Sequence, residues 1–298
     1  MGGHARADVS RHSPIGPALK PADLQRRIAE RVEAWALRVE ETRETETSVL
    51  LFGTRDGEAY VGKVIKARDD EWQSGRVLGA FGGAGMVRVV DYIDGAMLLE
   101  RVSPGDSLAP MAMAGDDEEA TRILASVIGK FAPAMPPEGT PTLAYRAEAF
   151  DWYASSGDTQ IDRALFRRAR AEFTALACSQ RNVRLLHGDL HHYNVLRDER
   201  RGWIAIDPKG LAGELEYEIG AALRNPCERI ELLADAATFD RRVACFAQTL
   251  GLDRARIVRW AFAQAVLAAI WEVQERARVE PDNPWLTLAR AIEHRAVC

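Results

Sequence analysis

The sequence contains few cysteines, and they are far apart. Only four of the 298 residues are cysteine: Cys178, Cys227, Cys245 and Cys298. Zinc sites need closely spaced Cys or His pairs, and small secreted domains need a dense set of cysteines for disulfide bonds. Neither pattern is present, so we expect four free thiols and exclude a disulfide-stabilised secreted domain.

Long apolar runs and an excess of basic residues are also missing. No segment approaches the ~20 apolar residues that span a bilayer, and the first residues lack the apolar core of a signal peptide. Lys and Arg number 39 against 44 Asp and Glu, which gives a formal net charge of −5 at pH 7. Nucleic-acid-binding surfaces are usually basic. We therefore predict a cytoplasmic protein with no membrane or nucleic-acid partner, and the acidic balance is compatible with a cationic substrate.

Apolar periodicity divides the chain into two unlike parts. Before residue 102, alternating apolar residues at 48–52 and 59–65 predict two strands, and the glycine-containing turn between them is typical of a hairpin. After residue 102 the apolar spacing predicts helices, at 118–131, 143–154, 161–177, 236–250 and 253–278. The fold class is therefore α+β, with a flexible leader at 1–20, a strand-rich lobe at 21–102 and a helix-rich lobe at 103–298.

A helix is also predicted on the strand-rich lobe. Proline at position 21 is typical of a helix start, and the apolar residues that follow recur at helical spacing. They are Leu24, Ile28, Val32, Trp35, Leu37 and Val39. We expect one face of this helix to pack on the first lobe.

The chemically most informative stretch lies between residues 185 and 209. It holds three residues with side-chain oxygens, each in or beside a short apolar run that predicts a small strand: Asp189, Asn194 and Asp207. Phosphoryl transfer from ATP needs an acidic residue that orients the acceptor hydroxyl, and hard oxygen ligands for Mg²⁺. The spacing from His187 through Asp189 to Asn194 has the form H-x-D-x-x-x-x-N of a kinase catalytic loop. This pattern predicts ATP-dependent O-phosphorylation, with Asp189 catalytic and with Asn194 and Asp207 as Mg²⁺ ligands.

The same stretch also resembles a metal-dependent hydrolase motif. Gly-Asp-x-His also occurs in two-metal phosphoesterases, in which His187, His191, His192 and Asp189 would bind metal. Those enzymes also need an upstream Asp-x-His and a downstream Gly-Asn-His, and the sequence has neither. The kinase interpretation is therefore preferred.

Three segments carry a family resemblance. His187-Gly-Asp-Leu-His-His-Tyr-Asn194, Ala205-Ile-Asp-Pro-Lys-Gly210, and Gly220 followed by Leu223-Arg-Asn-Pro226 resemble the aminoglycoside phosphotransferases, in particular the branch of streptomycin 6-kinases and of hydroxyurea, viomycin or capreomycin phosphotransferases. The likeness extends weakly from about residue 59 to the C-terminus. It implies a protein-kinase-like bilobal fold, ATP and Mg²⁺ as cofactors, a small-molecule hydroxyl substrate, and antibiotic resistance by inactivation. The first lobe would bind the nucleotide and the second would hold the catalytic and substrate-binding residues.

A kinase-like site also needs a strand lysine that reaches the α- and β-phosphates. Lys63 and Lys66 are the candidates, and strand alternation places them on opposite faces. Comparison with the family's apolar-apolar-Lys strand favours Lys63, although Gly62 interrupts the usual pattern. The turn before this strand has no G-x-G-x-x-G, so a glycine loop that cradles phosphate is not predicted.

Two further elements would complete the nucleotide site. Glu71 begins a predicted helix at 70–81 and is a natural ion-pair partner for the lysine. A carboxylate at a helix start also favours the helix dipole for structural reasons alone, so both interpretations stay open. The resemblance implies that Glu100 to Val102 form the hinge between the lobes, where backbone groups bind the purine.

The residues around the motif allow several roles. His187 is expected to hold the loop through a backbone or carboxylate contact, whereas His191 and His192 stand where ligand contact is an alternative to a structural role. Lys209 is expected either to assist phosphate binding or to pair with Glu214 or Glu216.

The substrate is the least determined property. A polycationic aminoglycoside needs an acidic receptor surface, for which the candidates are Glu214, Glu216, Glu218 and the acidic residues of 116–119. Glu218 stands where the family usually has aspartate, and its longer side chain would alter the support of the loop. A kinase of another small alcohol and a catalytically silent nucleotide-binding protein remain alternatives. A monomer is favoured.

Overall fold

The N-terminal part is built on one antiparallel sheet. The computed structural model describes residues 18–68, 70–280 and 282–296, with the backbone alone at Asp70. The sheet has the strand order β1-β2-β3-β5-β4. Its strands are β1 (Arg38–Glu44), β2 (Ser48–Arg55), β3 (Glu58–Ile65), β4 (Val89–Ile93) and β5 (Ala96–Glu100). The predicted hairpin is confirmed, and its turn lies at Asp56 and Gly57, which both have positive φ as a tight two-residue hairpin turn requires.

The helix predicted near Pro21 is present as α1 (Pro21–Ala34), and it packs on the sheet. Its residues Leu24, Ile28 and Val32 contact a small buried cluster centred on Trp35 and on the apolar residues of the sheet. The predicted packing of this helix on the first lobe is therefore confirmed.

The helix does not continue to Leu37 and Val39, as the periodicity predicts. The chain turns at Ala36, where φ is 49°, and Val39 pairs with Gly53 of β2. A Cβ at Gly53 would lie 2.3 Å from the carbonyl oxygen of Arg38, so only glycine permits this close approach of the strands. Pairing along the edge of the sheet thus outweighs helical spacing in the sequence.

The segment between β3 and β4 carries the predicted helix at 70–81 in two pieces. A 3₁₀ turn (Asp70–Gln73) leads into α2 (Ser74–Phe81), which ends at Gly82 in the left-handed conformation. Gly75 lets α2 lie directly against β4, because a Cβ there would approach the side chain of Tyr92 to 2.6 Å. This packing brings the 3₁₀ turn, and Glu71 within it, beside β3.

The rest of the chain is mainly helical. The helices are α3 (Ala109–Met113), α4 (Asp117–Phe131), α5 (Leu143–Ser156), α6 (Arg163–Cys178), α7 (Leu215–Leu223), α8 (Ile230–Leu233), α9 (Ala236–Leu250), α10 (Arg254–Arg276) and α11 (Pro284–Ile292). All five predicted long helices are present. Four were not predicted: the short α3 and α8, and the longer α7 and α11. α7 is buried on nearly every side, so its sequence shows no amphipathic period.

Two small sheets hold the stretch that carries the chemistry. β7 (Arg184–Leu186) pairs with β10 (Leu211–Gly213), and β8 (Val195–Asp198) lies between β6 (Pro104–Ser107) and β9 (Gly202–Ala205). The small strands predicted beside the motif are therefore present. β6 was not predicted, because its few residues contain Pro and Gly and give no strand signal.

The predicted leader and one of the four cysteines lie wholly or partly outside the described residues. Residues 1–17 of the predicted leader lie outside the described residues, and Ala18 forms a β-bridge with Ala67. Cys178, Cys227 and Cys245 are free, as predicted, and Cys298 lies outside the described part of the chain. Across the described residues, no helix combines the length and apolar character needed to cross a bilayer.

Candidate active site

The loop after β7 brings the catalytic motif together. Asp189 is buried, and its backbone carbonyl accepts a hydrogen bond from the side-chain amide of Asn194 at 3.0 Å. The backbone carbonyl of Asn194 accepts one from the amide of Ile206 at 2.9 Å. These two bonds place the beginning and the end of the loop next to Asp207, which follows β9. The three oxygen-bearing residues of the motif therefore converge.

His187 holds this loop from inside. Its Nε2 donates to the carbonyl of Ile206 at 2.7 Å, and its Nδ1 accepts the amide of Asp189 at 3.3 Å. Burial lowers the pKa of His187 to about 4, which favours the neutral ring that this donor and acceptor arrangement requires. The predicted loop-holding contact of His187 is confirmed.

Glu218 supports the same loop from α7. Its carboxylate accepts the amide of Gly188 at 3.1 Å and the amide of Leu190 at 3.4 Å. Burial raises the pKa of Glu218 to about 7, although the amide bonds oppose this shift. Glu218 is thus buried beneath the loop, and its proposed place on an acidic receptor surface was wrong. The longer side chain still reaches the loop amides.

Four charged side chains meet where β3, the 3₁₀ turn and β9 come together. The Nζ of Lys63 lies 3.0 Å from Glu71 Oε2 and also donates to Asp207 Oδ1. The Nζ of Lys209 lies 2.5 Å from Glu71 Oε1. Asp207 has a φ of 61°, and its side chain is 28% exposed, against 7% or less for the other three. Asp207 is therefore the member of this group that solvent or a ligand reaches most easily.

Opposite charges in this group stabilise the ionised forms of their neighbours. Burial alone would lower the pKa of Lys63, but the carboxylates of Asp207 and Glu71 outweigh it and raise this pKa. Burial would raise the pKa of Glu71, but Lys63 and Lys209 outweigh it and hold this pKa well below its usual range. Lys63 and Glu71 are therefore both charged at neutral pH.

The structure separates the two candidate lysines. Lys66 points away from the motif, where it pairs with Glu44 at 3.0 Å and donates to the carbonyl of Thr45. Lys63 is the strand lysine that meets Glu71 and Asp207. Lys209 pairs with neither Glu214 nor Glu216, so the expected pairing was wrong.

The two histidines after Asp189 differ in environment. His192 is fully buried, and its Nε2 lies 3.0 Å from the guanidinium of Arg242. Burial and that guanidinium lower the pKa of His192. His191 lies nearer the motif, with Nε2 3.7 Å from Asp189 Oδ2. His192 is therefore packed against Arg242, whereas His191 is the histidine of this pair that lies beside Asp189.

A buried arginine behind Asp189 was given no role in the sequence analysis. Arg224, at the end of α7, has one guanidinium nitrogen 3.4 Å from Asp189 Oδ1 and another 3.0 Å from Gln264 Oε1. Gln264 of α10 in turn donates to the carbonyl of Tyr217 at 2.6 Å. Gly220 makes room for this arrangement, since a Cβ there would lie 2.4 Å from Gln264 Nε2. The Leu-Arg-Asn-Pro segment marks the position of Arg224, but its partner depends on packing.

The hinge candidates lie at the end of β5. The amide of Glu100 donates to the carbonyl of Arg88 at 3.0 Å, and its carboxylate accepts the amide of Arg88 and pairs with Arg201. Val102 is half-buried just beyond the strand. The role of both residues in purine binding stays a prediction.

The other acidic candidates mostly have structural partners. Glu214 is buried against Arg256 and Trp260, and Asp117 pairs with Arg242. Glu118 and Glu119 both pair with Arg122 along α4. Glu214 and Asp117 are therefore too buried to form the receptor surface that the sequence suggested, whereas Glu118 and Glu119 share one arginine and stay exposed.

An exposed carboxylate that the sequence analysis did not select lies nearer the loop. Glu228 is exposed, and its Oε1 accepts the phenol of Tyr193 at 2.6 Å. Tyr193 immediately precedes Asn194. Glu228 is therefore tied to the motif while remaining open to solvent.

The donor set fits a magnesium ion bound through oxygen. Within the described residues, no group of three or more His, Cys, Asp or Glu side chains converges as a protein-only metal site would require. Asn194 uses its amide nitrogen for the loop, which leaves its carbonyl oxygen as an acceptor, and Asp207 adds a partly exposed carboxylate. Two hard oxygen ligands that share a metal with substrate phosphates are the usual Mg²⁺ arrangement.

Comparison with known proteins agrees with this geometry. The family described as "Aminoglycoside/hydroxyurea antibiotic resistance kinase" matches residues 33–275. The streptomycin 6-kinase of Streptomyces griseus is 32% identical over 262 residues, which cover 85% of this chain and 84% of that protein. The streptomycin 3''-kinase of Klebsiella pneumoniae is 30% identical, covering 80% of this chain and 90% of that protein. The hydroxyurea phosphotransferase of Kitasatospora aureofaciens is 31% identical, covering 87% of this chain and 76% of that protein.

Solved structures agree on the fold. The choline kinase LicA from Streptococcus pneumoniae superposes with a TM-score of 0.62 at 16% identity, covering 91% of this chain and 98% of that one. A thermostable mutant of the aminoglycoside phosphotransferase APH(4)-Ia, in a ternary complex with ADP and hygromycin B, gives a TM-score of 0.60 at 15% identity, covering 91% of this chain and 98% of that one. The predicted kinase-like α+β fold is thereby confirmed.

Proposed function

The chain belongs to the aminoglycoside/hydroxyurea antibiotic resistance kinases, and we propose that it transfers the γ-phosphoryl group of ATP to a hydroxyl of streptomycin. The convergence of Asp189, Asn194 and Asp207 beside the Lys63–Glu71 ion pair carries this proposal. A protein that only bound nucleotide would have no need of all these groups together.

Asp189 acts on the acceptor hydroxyl. A hydroxyl is a weak nucleophile until it is oriented in line with the γ-phosphate, and the buried carboxylate of Asp189, held by Arg224, is a rigid acceptor for its hydrogen bond. His187 and Glu218 hold the loop that carries Asp189 and so fix its direction. As the acceptor oxygen bonds to the γ-phosphorus, the bond from that phosphorus to the β,γ-bridging oxygen breaks, ADP leaves, and the hydroxyl proton passes to Asp189.

Lys63 and Glu71 act on the nucleotide. Lys63 supplies positive charge to the phosphates, and Glu71 keeps the ammonium charged and aimed. Lys209 holds Glu71 from the other side. Glu100 and Val102 meet the purine edge with backbone groups, at the boundary between a nucleotide-binding lobe at 21–102 and a catalytic lobe at 103–298.

Asn194 and Asp207 hold Mg²⁺. When bound, the ion supplies positive charge that offsets the charge developing on the transferred group. Asp207 shares its carboxylate with Lys63, so the same side chain joins the metal site to the phosphate-binding lysine. The expected substrates are thus ATP and a small alcohol, with Mg²⁺ as the cofactor. We expect the enzyme to be cytoplasmic and monomeric.

Streptomycin is favoured because streptomycin kinases are among the relatives, and because the net charge of −5 suits a cationic substrate. The exposed carboxylate of Glu228, tied to Tyr193 beside Asn194, is suited to a cationic group of that substrate. Hydroxyurea is the second candidate, since a hydroxyurea phosphotransferase is a relative of similar identity.

The deciding experiment measures ADP release from MgATP with streptomycin, a second aminoglycoside, viomycin, capreomycin, hydroxyurea and simple sugars. Asp189→Ala is the control for background ATP hydrolysis. Release that requires both streptomycin and Asp189 supports the proposal, and mass spectrometry of the product identifies the modified hydroxyl. Release with another compound alone would keep the kinase chemistry and refute the streptomycin assignment.

A further inference from the structure

A cavity beside α2 has no part in the proposed phosphotransfer. It has a volume of about 290 Å³ and lies between the 70–81 segment and the loop at 137–141. The side chains of Arg68 and Arg76 line it, and the buried Lys209 reaches it from the group of charges around Glu71. Of these residues, only Lys209 belongs also to the site described above.

The described side chains that line this cavity carry charge of one sign. The three that carry a charge are Arg68, Arg76 and Lys209, and none of these lining residues is a carboxylate. Glu71 pairs with Lys209. Arg76 donates to the backbone carbonyl of Glu138 at 2.7 Å, and among the described residues no carboxylate forms an ion pair with it. Concave surfaces lined by one sign of charge concentrate ions of the opposite sign. Two guanidinium groups also present the paired N–H donors that suit phosphate and carboxylate oxygens.

The cavity is apolar between its cations. Trp72, Val77 and two prolines of the loop contribute to its wall. The guanidinium of Arg68 lies 5.3 Å from the centre of the Trp72 ring, and that of Arg27 lies 4.8 Å from the same ring. A flat apolar group can pack against such a wall while its charged end meets the guanidinium groups.

The cations near Trp72 also repel one another. Partial burial lowers the pKa of Arg27, and the charges of Arg31 and Arg68 lower it further, although the carboxylates of Glu30 and Asp94 oppose this shift. The Nε atoms of Arg27 and Arg31 are buried with no hydrogen-bond partner among the described residues. An anion placed beside Arg68 would relieve this repulsion.

We propose that this cavity is a second ligand site, which binds a small organic anion whose phosphate or carboxylate end meets Arg68 and Arg76 and whose flat apolar part packs on Trp72. The ligand would lie next to Lys209, which Glu71 links to Lys63 through two ion pairs. The proposal goes beyond the phosphotransferase activity and does not depend on it, because binding is measured without turnover.

Isothermal titration calorimetry with phenyl phosphate tests the site, with excess ADP present to occupy a nucleotide site. We expect saturable binding, weakened about tenfold by Arg68→Ala and by Arg76→Ala, since each removes a charge-assisted contact. Both arginines are exposed, so these variants should keep the parent's circular dichroism and melting temperature. Benzyl alcohol, which lacks the charge, should not bind.

A matched control comes from a second cavity, of about 430 Å³, between α5 and α6. It is also lined by two arginines, Arg163 and Arg167, but Asp158 lies among them. Arg163→Ala and Arg167→Ala should leave phenyl phosphate binding unchanged. Absence of saturable binding up to about 10 mM, or equal binding by the Arg68 and Arg76 variants and the parent, would overturn the site. Inorganic phosphate binding as tightly as phenyl phosphate would overturn the apolar part of the proposal.

Discussion

Replacement of Arg224 by methionine tests whether the arginine behind Asp189 positions the catalytic carboxylate or only fills space. The variant keeps most of the side-chain volume but removes the guanidinium that lies 3.4 Å from Asp189 Oδ1 and 3.0 Å from Gln264 Oε1. Removal of one partner of a buried ion pair costs about 3 to 5 kcal/mol. We expect the lower end of this range, about 3 kcal/mol, because Asp189 has other contacts in the loop.

This cost converts to a modest fall in melting temperature. For 298 residues, the unfolding entropy is on the order of 0.6 kcal/mol/K, so 3 kcal/mol corresponds to about 5 °C. The protein should therefore remain folded at 25 °C. A misdirected carboxylate, by contrast, should lower kcat about 100-fold with little change in KM for ATP.

Arg256→Met is the matched control. Like Arg224, Arg256 is a buried arginine in an ion pair, but its partner is Glu214 and the pair lies away from the motif. Both variants are assayed by calorimetry and by ADP release. A similar loss of stability in both, with kcat reduced only in the Arg224 variant, supports the positioning role. Unchanged kcat in a folded Arg224→Met protein would refute it.

Four further predictions follow from the same geometry. Lys63→Met should raise KM for ATP or lower kcat by about 100-fold in the ADP-release assay, whereas both constants of Lys66→Met should stay within a few-fold of the parent. Equal activities of the two variants would show that Lys63 has no role in the mechanism. The pKa of Glu218 is raised to about 7, so its contribution to stability is fully present below about pH 4.5 and is lost as pH rises through about 7, a difference of about 3 kcal/mol. Urea unfolding from pH 5 to 8 should show the parent losing stability relative to Glu218→Gln, and a difference independent of pH would contradict this titration. Gly220→Ala should lower the free energy of unfolding by about 1 to 3 kcal/mol, because the added Cβ would clash with Gln264. Gly129→Ala is in an exposed helical position where the nearest atom lies 3.5 Å from the added Cβ, so it should raise that free energy by up to about 1 kcal/mol. Thermal unfolding of both variants tests these values. Glu228→Gln should raise KM for streptomycin about tenfold and leave KM for ATP unchanged, and equal KM values for streptomycin would exclude Glu228 from the substrate site.

The active-site loop shows how far local sequence information reaches. The spacing of His187, Asp189, Asn194 and Asp207 and the short apolar runs beside them were sufficient to predict small strands and convergent oxygen ligands. This works because each residue lies within a few positions of the strand that carries it, so local geometry decides where it stands. Helices α4, α6 and α9 were predictable for a similar reason, since each has one apolar face.

The failures share a different cause. Leu37 and Val39 fit the period of α1, but the chain leaves the helix before them, and Val39 pairs with β2 at the edge of the sheet. The burial of Glu214, Glu218 and Asp117 was not visible in a run of charges, because a carboxylate looks the same in sequence whether it faces solvent or an arginine.

By itself, the sequence determined the reaction class and the local elements that carry it, because catalytic spacing and apolar periodicity are written within short segments. Only the tertiary structure decided the partners of the buried charges. Glu71 and Lys209 are 138 residues apart, and Asp189 and Arg224 are 35 apart. An ion pair across such distances forms only when separate elements pack together, and the low dielectric of the interior then makes that pairing obligatory.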